Sequence, residues 1–139
     1  MQTILDGYLI SDDKKLIQLD RVCELLSCTY WAKSRTKDTI TASIENSLCF
    51  GLYKYDVQIG FARCITDYSV MYLLCDVIID ENHRGQGLGK SLIQFITEHE
   101  LLKNLTGILR TKDAHGLYMQ YHFVNDNGIA MYRKPRLTE

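Results

Sequence analysis

Three glycines fall within five positions between an apolar run and an amphipathic stretch, in Val77-Ile78-Ile79-Asp80-Glu81-Asn82-His83-Arg84-Gly85-Gln86-Gly87-Leu88-Gly89-Lys90. Glycine lets a backbone turn tightly and lets a ligand approach without meeting a Cβ. A helix starting at once behind such a loop offers unpaired N–H groups and a partial positive charge. The combination predicts an anion site, and phosphate is the usual anion. Arg84 and Lys90 add full charges on either side. The dinucleotide fingerprint is excluded on spacing, because Gly85-Gln86-Gly87-Leu88-Gly89 reads GxGxG and Lys90 breaks the required GxGxxG. The nucleoside-triphosphate loop is excluded as well. Its first glycine would fall where Arg84 stands.

Other residues offer different chemistry. Asp76 interrupts an otherwise apolar stretch and Asp67 ends the one before it, so both are candidate general bases or acceptor contacts; a carboxylate inside a strand is costly unless it has a partner or a task. Tyr30 and Trp31 form an aromatic pair that could line an acceptor pocket or close over the core. The five cysteines, Cys23, Cys28, Cys49, Cys64 and Cys75, are odd in number and never spaced as CxxC. Each is expected to behave as a small apolar side chain rather than as a reactive thiol. His83, His99, His115 and His122 pair with neither one another nor a cysteine at a ligand spacing, so no metal is expected.

The elements that would position these residues follow from periodicity. Residues 7–10 read as a short strand, and residues 16–26 place Leu16, Leu19, Val22, Cys23 and Leu26 on one helical face. A second helix is expected over 38–46. From Leu48 the period becomes that of strands: 48–53 and 57–66 form a hairpin, and 70–80 is a long β-branched strand. The glycine loop then leads into a helix over 90–99, a strand over 106–110, a short helix over 113–121, and closing strands at Phe123 and 129–132. The expected class is α+β, or mixed α/β, a central sheet flanked by helices in a single domain over residues 1–139.

Composition agrees with an ordinary globular domain, with 46% apolar and 24% charged residues over 139 positions. No apolar stretch approaches a membrane span, and residues 1–20 lack a basic start followed by an apolar core, so a cytoplasmic protein is expected. A net charge of −1 predicts no nucleic-acid footprint. Acidic residues outnumber basic ones up to His83 and the balance reverses from Arg84, which reads either as chance asymmetry of solvated surface or as one part meeting a cation and the other an anion.

Arg84-x-x-Gly87-x-Gly89 behind a strand resembles the pyrophosphate loop of the GNAT superfamily of acyl-CoA-dependent N-acetyltransferases. A second segment, Ala114-His115-Gly116-Leu117-Tyr118-Met119-Gln120-Tyr121-His122-Phe123, is similar to the family's Ala-x-x-Leu-Tyr-x-x-x-Gly-Phe, with His122 in place of the glycine. Thr111 stands where many members carry an asparagine. Tyr30-Trp31 followed by Arg35 resembles the small single-domain bacterial members.

The resemblance implies a GNAT-like, mostly antiparallel sheet splayed at its fourth strand. The pantetheine arm of acetyl-CoA would lie in the gap, paired with the backbone of Val77, Ile78 and Ile79. Arg84, Gly85, Gln86, Gly87, Leu88, Gly89 and Lys90 would hold the pyrophosphate. Tyr118 falls at the family's general-acid tyrosine, with Tyr121 the core tyrosine of the pair. The expected reaction is direct acetyl transfer to a primary amine in a ternary complex, with Asp76 or a water relay as base and Tyr30, Trp31 and Asp67 near the acceptor. The acidic first half suits a cationic acceptor. Expected partners are acetyl-CoA, an amine and a second copy of the chain. The alternative is a non-catalytic CoA-binding or regulatory module on the same fold.

Overall fold

The computed structural model describes residues 1–136. Six strands form one sheet in sequence order: β1 (Gln2–Leu5), β2 (Tyr8–Ser11), β3 (Leu48–Lys54), β4 (Val57–Thr66), β5 (Met71–Ile79) and β6 (Thr106–Leu109). Every neighbouring pair is antiparallel except β5 and β6, which run parallel. The helices are α1 (Leu19–Ser27), α2 (Lys37–Glu45), α3 (Leu88–Thr97) and the short α4 (His115–Met119).

The two faces of the sheet carry separate cores. On one, Val22 and Leu26 of α1 and Ile40 and Ile44 of α2 pack on Cys49 and Phe61, with Ile78 at the margin. On the other, Leu88, Leu92, Ile93 and Ile96 of α3 pack on Phe50, Ile59, Ala62 and Leu74, with Val77, Ile79 and Tyr118 against them. The period-2 alternation of β5 sends neighbouring residues to opposite faces, so Val77 and Ile79 meet one core and Ile78 the other. Thr36 starts α2 by accepting the Thr39 N–H, an ordinary N-cap.

Two sequence expectations change. The strand at 7–10 has a partner, β1, joined to it through Asp6 and Gly7, both at positive φ (49° and 81°). Asp-Gly between strands is the signal for this two-residue turn, and its primed geometry matches the strand twist. The exposed, unpatterned flank of β1 hides the strand itself. At the other end, Phe123 and residues 129–132 form no strand. Ile129, Met131 and Tyr132 are exposed, so their apolar character meets no core that could hold an extended chain.

Of the cysteines, Cys49 and Cys64 are buried as expected, Cys23 and Cys75 are half-buried, and Cys28 is exposed. Among the described residues no helix is long and apolar enough to cross a membrane.

Candidate active site

The sheet opens where β5 and β6 part. Met71 to Leu74 pair with Thr106 to Leu109, and beyond Leu74 the ladder stops. Cys75 to Ile79 therefore face a gap on that side, while on the other Cys75, Ile78 and Ile79 stay paired to β4. A bulge adds to the separation: between Phe61 and Arg63 the register with β5 jumps from Ile78 to Cys75. Asp76, inside that jump, has φ 56°. An extra residue of this kind bends its strand and re-aims side chains.

The gap is a cleft of about 1100 Å³. Its long wall is residues 73–79, its far wall is Leu109 to Ala114 with Leu117 and Tyr118, and one end is the glycine loop. Gly85 and Gly87 both take left-handed φ (80° and 77°). Gly87 caps α3 without a side-chain bond, and the first helical bond runs from the Ser91 N–H to the Gly87 carbonyl. The N–H groups of Leu88, Gly89 and Lys90 are thus outside the helical ladder and available to an anion. A Cβ placed on Gly85, Gly87 or Gly89 would meet nothing within 4 Å, so the space over these glycines is open for a ligand. Leu88 turns the other way and anchors the helix start in the core.

The loop is pinned from below. Arg84 Nε donates to the Ile79 carbonyl at 3.0 Å. Asp80 Oδ1 accepts the Asn82 N–H, and Asp80 Oδ2 accepts from Arg21 of α1 at 2.9 Å. The buried Tyr8 hydroxyl donates to Gln86 Oε1 and lies 3.2 Å from His83 Nδ1. Gln86, expected as a cofactor contact, does not line the cleft; its side chain is engaged by Tyr8.

Tyr118 is half-buried on the cleft wall, packed edge-on against Phe123. Burial pushes its hydroxyl pKa up, and the charge of Asp113 adds to the shift. His122, in the family's glycine position, adopts φ 69°, the conformation glycine would supply there. Thr111 lines the cleft and its Oγ1 accepts the Ala114 N–H at 2.9 Å.

Asp76 is not free to act as a base. Its Oδ2 accepts from Arg63 Nε at 2.6 Å and from Arg35 Nη1 at 2.7 Å, and its Oδ1 from Trp31 Nε1 at 3.0 Å. Burial alone would raise its pKa, but the two guanidinium groups outweigh that and hold the carboxyl below the usual carboxylate range. A carboxylate so stabilised is a weak proton acceptor. Asp67 lies outside the cleft lining. It closes the turn before β5, where Oδ1 accepts the N–H groups of Ser69, Val70 and Met71, and these bonds lower its pKa. Tyr30 and Trp31 do line the cleft, stacked edge-on at 5.1 Å, on the α1–α2 side.

The acidic first half of the chain does not give the cleft an acidic wall. Its charged lining is Arg35, Arg63, Arg84, Lys90, Arg110 and Lys112 against Asp76 and Asp113. The Arg63–Asp76–Arg35 cluster escaped the sequence reading because its members come from β4, β5 and the α1–α2 connection.

Comparison with known proteins agrees with this geometry. The family model for the acetyltransferase (GNAT) domain matches residues 45–125. A Gibberella zeae protein classed as an acetyltransferase is 32% identical over 111 residues, covering 66% of this chain and 63% of its own length. The chain therefore spans less than two thirds of that relative. An uncharacterized N-acetyltransferase, ycf52, of Gracilaria tenuistipitata is 28% identical over 128 residues, covering 89% and 70%. A crystal structure of a Xanthomonas campestris protein assigned to the GNAT acetyltransferases superposes with TM-score 0.89 at 34% identity, covering 95% of this chain and 96% of that one. The open six-stranded sheet and the matched segment place the chain in the GNAT acetyltransferase family, whose general reaction is acetyl transfer from acetyl-CoA.

Proposed function

We propose that the chain moves an acetyl group from acetyl-CoA to a primary amine of a small molecule or peptide, directly and within a ternary complex. The observation that carries this proposal is the unpaired edge of residues 75–79, which lies between an anion-binding loop and a half-buried tyrosine and is reached from both faces of the sheet. Arg84, Lys90 and the N–H groups at the start of α3 hold the pyrophosphate. The main chain of Val77, Ile78 and Ile79 pairs with the extended pantetheine arm as a strand would, and orients the thioester carbonyl. The acceptor enters from the α1–α2 face, past Tyr30 and Trp31.

The acceptor nitrogen donates its lone pair to the carbonyl carbon, the carbon–sulfur bond breaks, and sulfur leaves with the bonding pair. Tyr118 presents its hydroxyl proton to that sulfur and regains a proton from water. The nitrogen releases its own proton to water, since Asp76 is already neutralised by its arginines. A thiol, with a pKa of about 8.5, is a stronger acid than a tyrosine. The benefit of Tyr118 therefore lies in stabilising charge as it develops on sulfur, not in a favourable pKa gap. Cys75, the thiol on the cleft, is no activated nucleophile, because burial pushes its pKa up against the pull of Arg63.

The deciding experiment is thiol release from acetyl-CoA across a panel of amines, with intact mass measured on protein held with acetyl-CoA alone. Amine-dependent release without an acetylated protein is expected. Absence of release with every amine would favour a CoA-binding module, and an acetyl adduct on Cys75 would overturn direct transfer.

A further inference from the structure

We infer that the acceptor carries a carboxylate close to its reactive amine, and that Arg35 docks it from the α1–α2 face of the cleft. This rests on the amine-transfer proposal and names its substrate class. Asp76, with its side chain only 1% exposed, is one anion shared by two cations. Both of its oxygens are engaged, by Trp31 and by the two arginines, and its charge is buried and already balanced, so it is a poor partner for a substrate ammonium. Arg63 is mostly buried and spends its Nη1 on Ser47 Oγ at 3.2 Å. The Arg35 side chain is 28% exposed, lines the cleft, and among the described residues makes a single hydrogen bond, through Nη1 to Asp76. The rest of its planar fork has the geometry that grips a carboxylate in a bidentate fashion.

Charge on the surrounding walls points the same way. The Lys112 ammonium sits 5.2 Å from the Tyr30 ring centre, so the aromatic pair that would otherwise attract a cation has one supplied by the protein. Excess positive charge in a partly desolvated site is costly until an anion completes it. The same field favours the neutral form of the reacting amine, the form that attacks. That lets transfer proceed without a side-chain base.

The test compares kcat/KM for matched acceptors that differ in one carboxylate: phenylalanine with 2-phenylethylamine, lysine with cadaverine, and ω-amino acids of increasing length with the corresponding alkylamines. Preference for the carboxylated member by roughly 10-fold or more, in the pair whose spacing fits, is the expected result. Arg35→Gln should collapse that preference toward unity and Arg35→Lys should restore part of it. Equal or better use of the decarboxylated members, with thiol release otherwise robust, would overturn the inference and leave amine transfer standing. A preference unchanged in Arg35→Gln would overturn the role of Arg35. If that variant does not fold, the wild-type ratios still decide the substrate class. Silence with every amine removes the amine-transfer proposal and this inference together.

Discussion

Tyr118 and Tyr121 are three residues apart, yet only Tyr118 borders the cleft while both touch the core behind α3. The pair therefore separates catalysis from packing. Tyr118→Phe is expected to lower kcat by roughly 10²–10⁴, the scale for losing a general acid, while CoA affinity stays within a few-fold. Tyr121→Phe should change melting temperature more than rate. Turnover and thermal melts on both variants check this; retention of more than about a third of the rate in Tyr118→Phe would move the proton donor elsewhere. Asp76 calls for a different measurement, since its role is to hold Arg35, Arg63 and Trp31 together. Asp76→Asn leaves two guanidinium groups without their counter-charge and should cost about 3–5 kcal/mol. Because the folded carboxyl titrates below its ordinary value, its contribution is full above the ordinary carboxylate pKa and fades as pH falls through the folded one. Urea midpoints of wild type and variant should differ widely at pH 7 and converge under strongly acidic conditions; an equal gap at both would show that Asp76 is not the titrating group.

At the scale of the element, the start of α3 distinguishes a ligand site from a mere turn. Gly89 has ordinary helical geometry and open space where a Cβ would go. Gly89→Ala should therefore leave stability unchanged or raise it by up to about 1 kcal/mol, the usual helical difference between the two residues. The same methyl projects over the free N–H groups and should weaken CoA binding by roughly 10-fold or more, a loss that stability cannot explain. Gly87→Glu combines two penalties. At φ 77° a side chain costs about 1–2 kcal/mol, and the carboxylate repels the pyrophosphate. Calorimetric titration with CoA, paired with melting curves, reads both variants. Unaltered affinity in a folded Gly89→Ala protein would remove the phosphate from this loop.

For the whole molecule, the gap between β5 and β6 is a place where the sheet lacks hydrogen bonds that a bound arm would supply. Ligand binding to the folded state alone adds stability by mass action, about 2.7 kcal/mol at a hundred times Kd. For a chain of this length that corresponds to a rise in melting temperature of roughly 5–10 °C. Acetyl-CoA should produce that rise and magnesium-ATP should not. A larger shift with ATP would mean that the loop serves a different phosphate ligand.

The glycine loop was legible from sequence because its physics is local: left-handed glycines and a helix start lie within six positions, whatever the rest of the chain does. The helices and the strands β3 to β5 were legible too, since burial against one face writes itself as a period in the chain. β1 could have been read from Asp6-Gly7, where the turn chemistry is also local. The apolar residues at 129–132 misled, because strand-forming side chains become a strand only where a partner edge and a core receive them. The charge of the cleft lay beyond sequence altogether. Arg63, Arg35 and Trp31 stand 13, 41 and 45 residues from Asp76, and only the sheet register, the bulge at Asp76 and the path of the α1–α2 connection bring them onto one carboxylate. The acidic balance of the first half suited a cationic acceptor; in the fold Asp76 is neutralised by Arg63 and Arg35, and cations outnumber acids along the cleft.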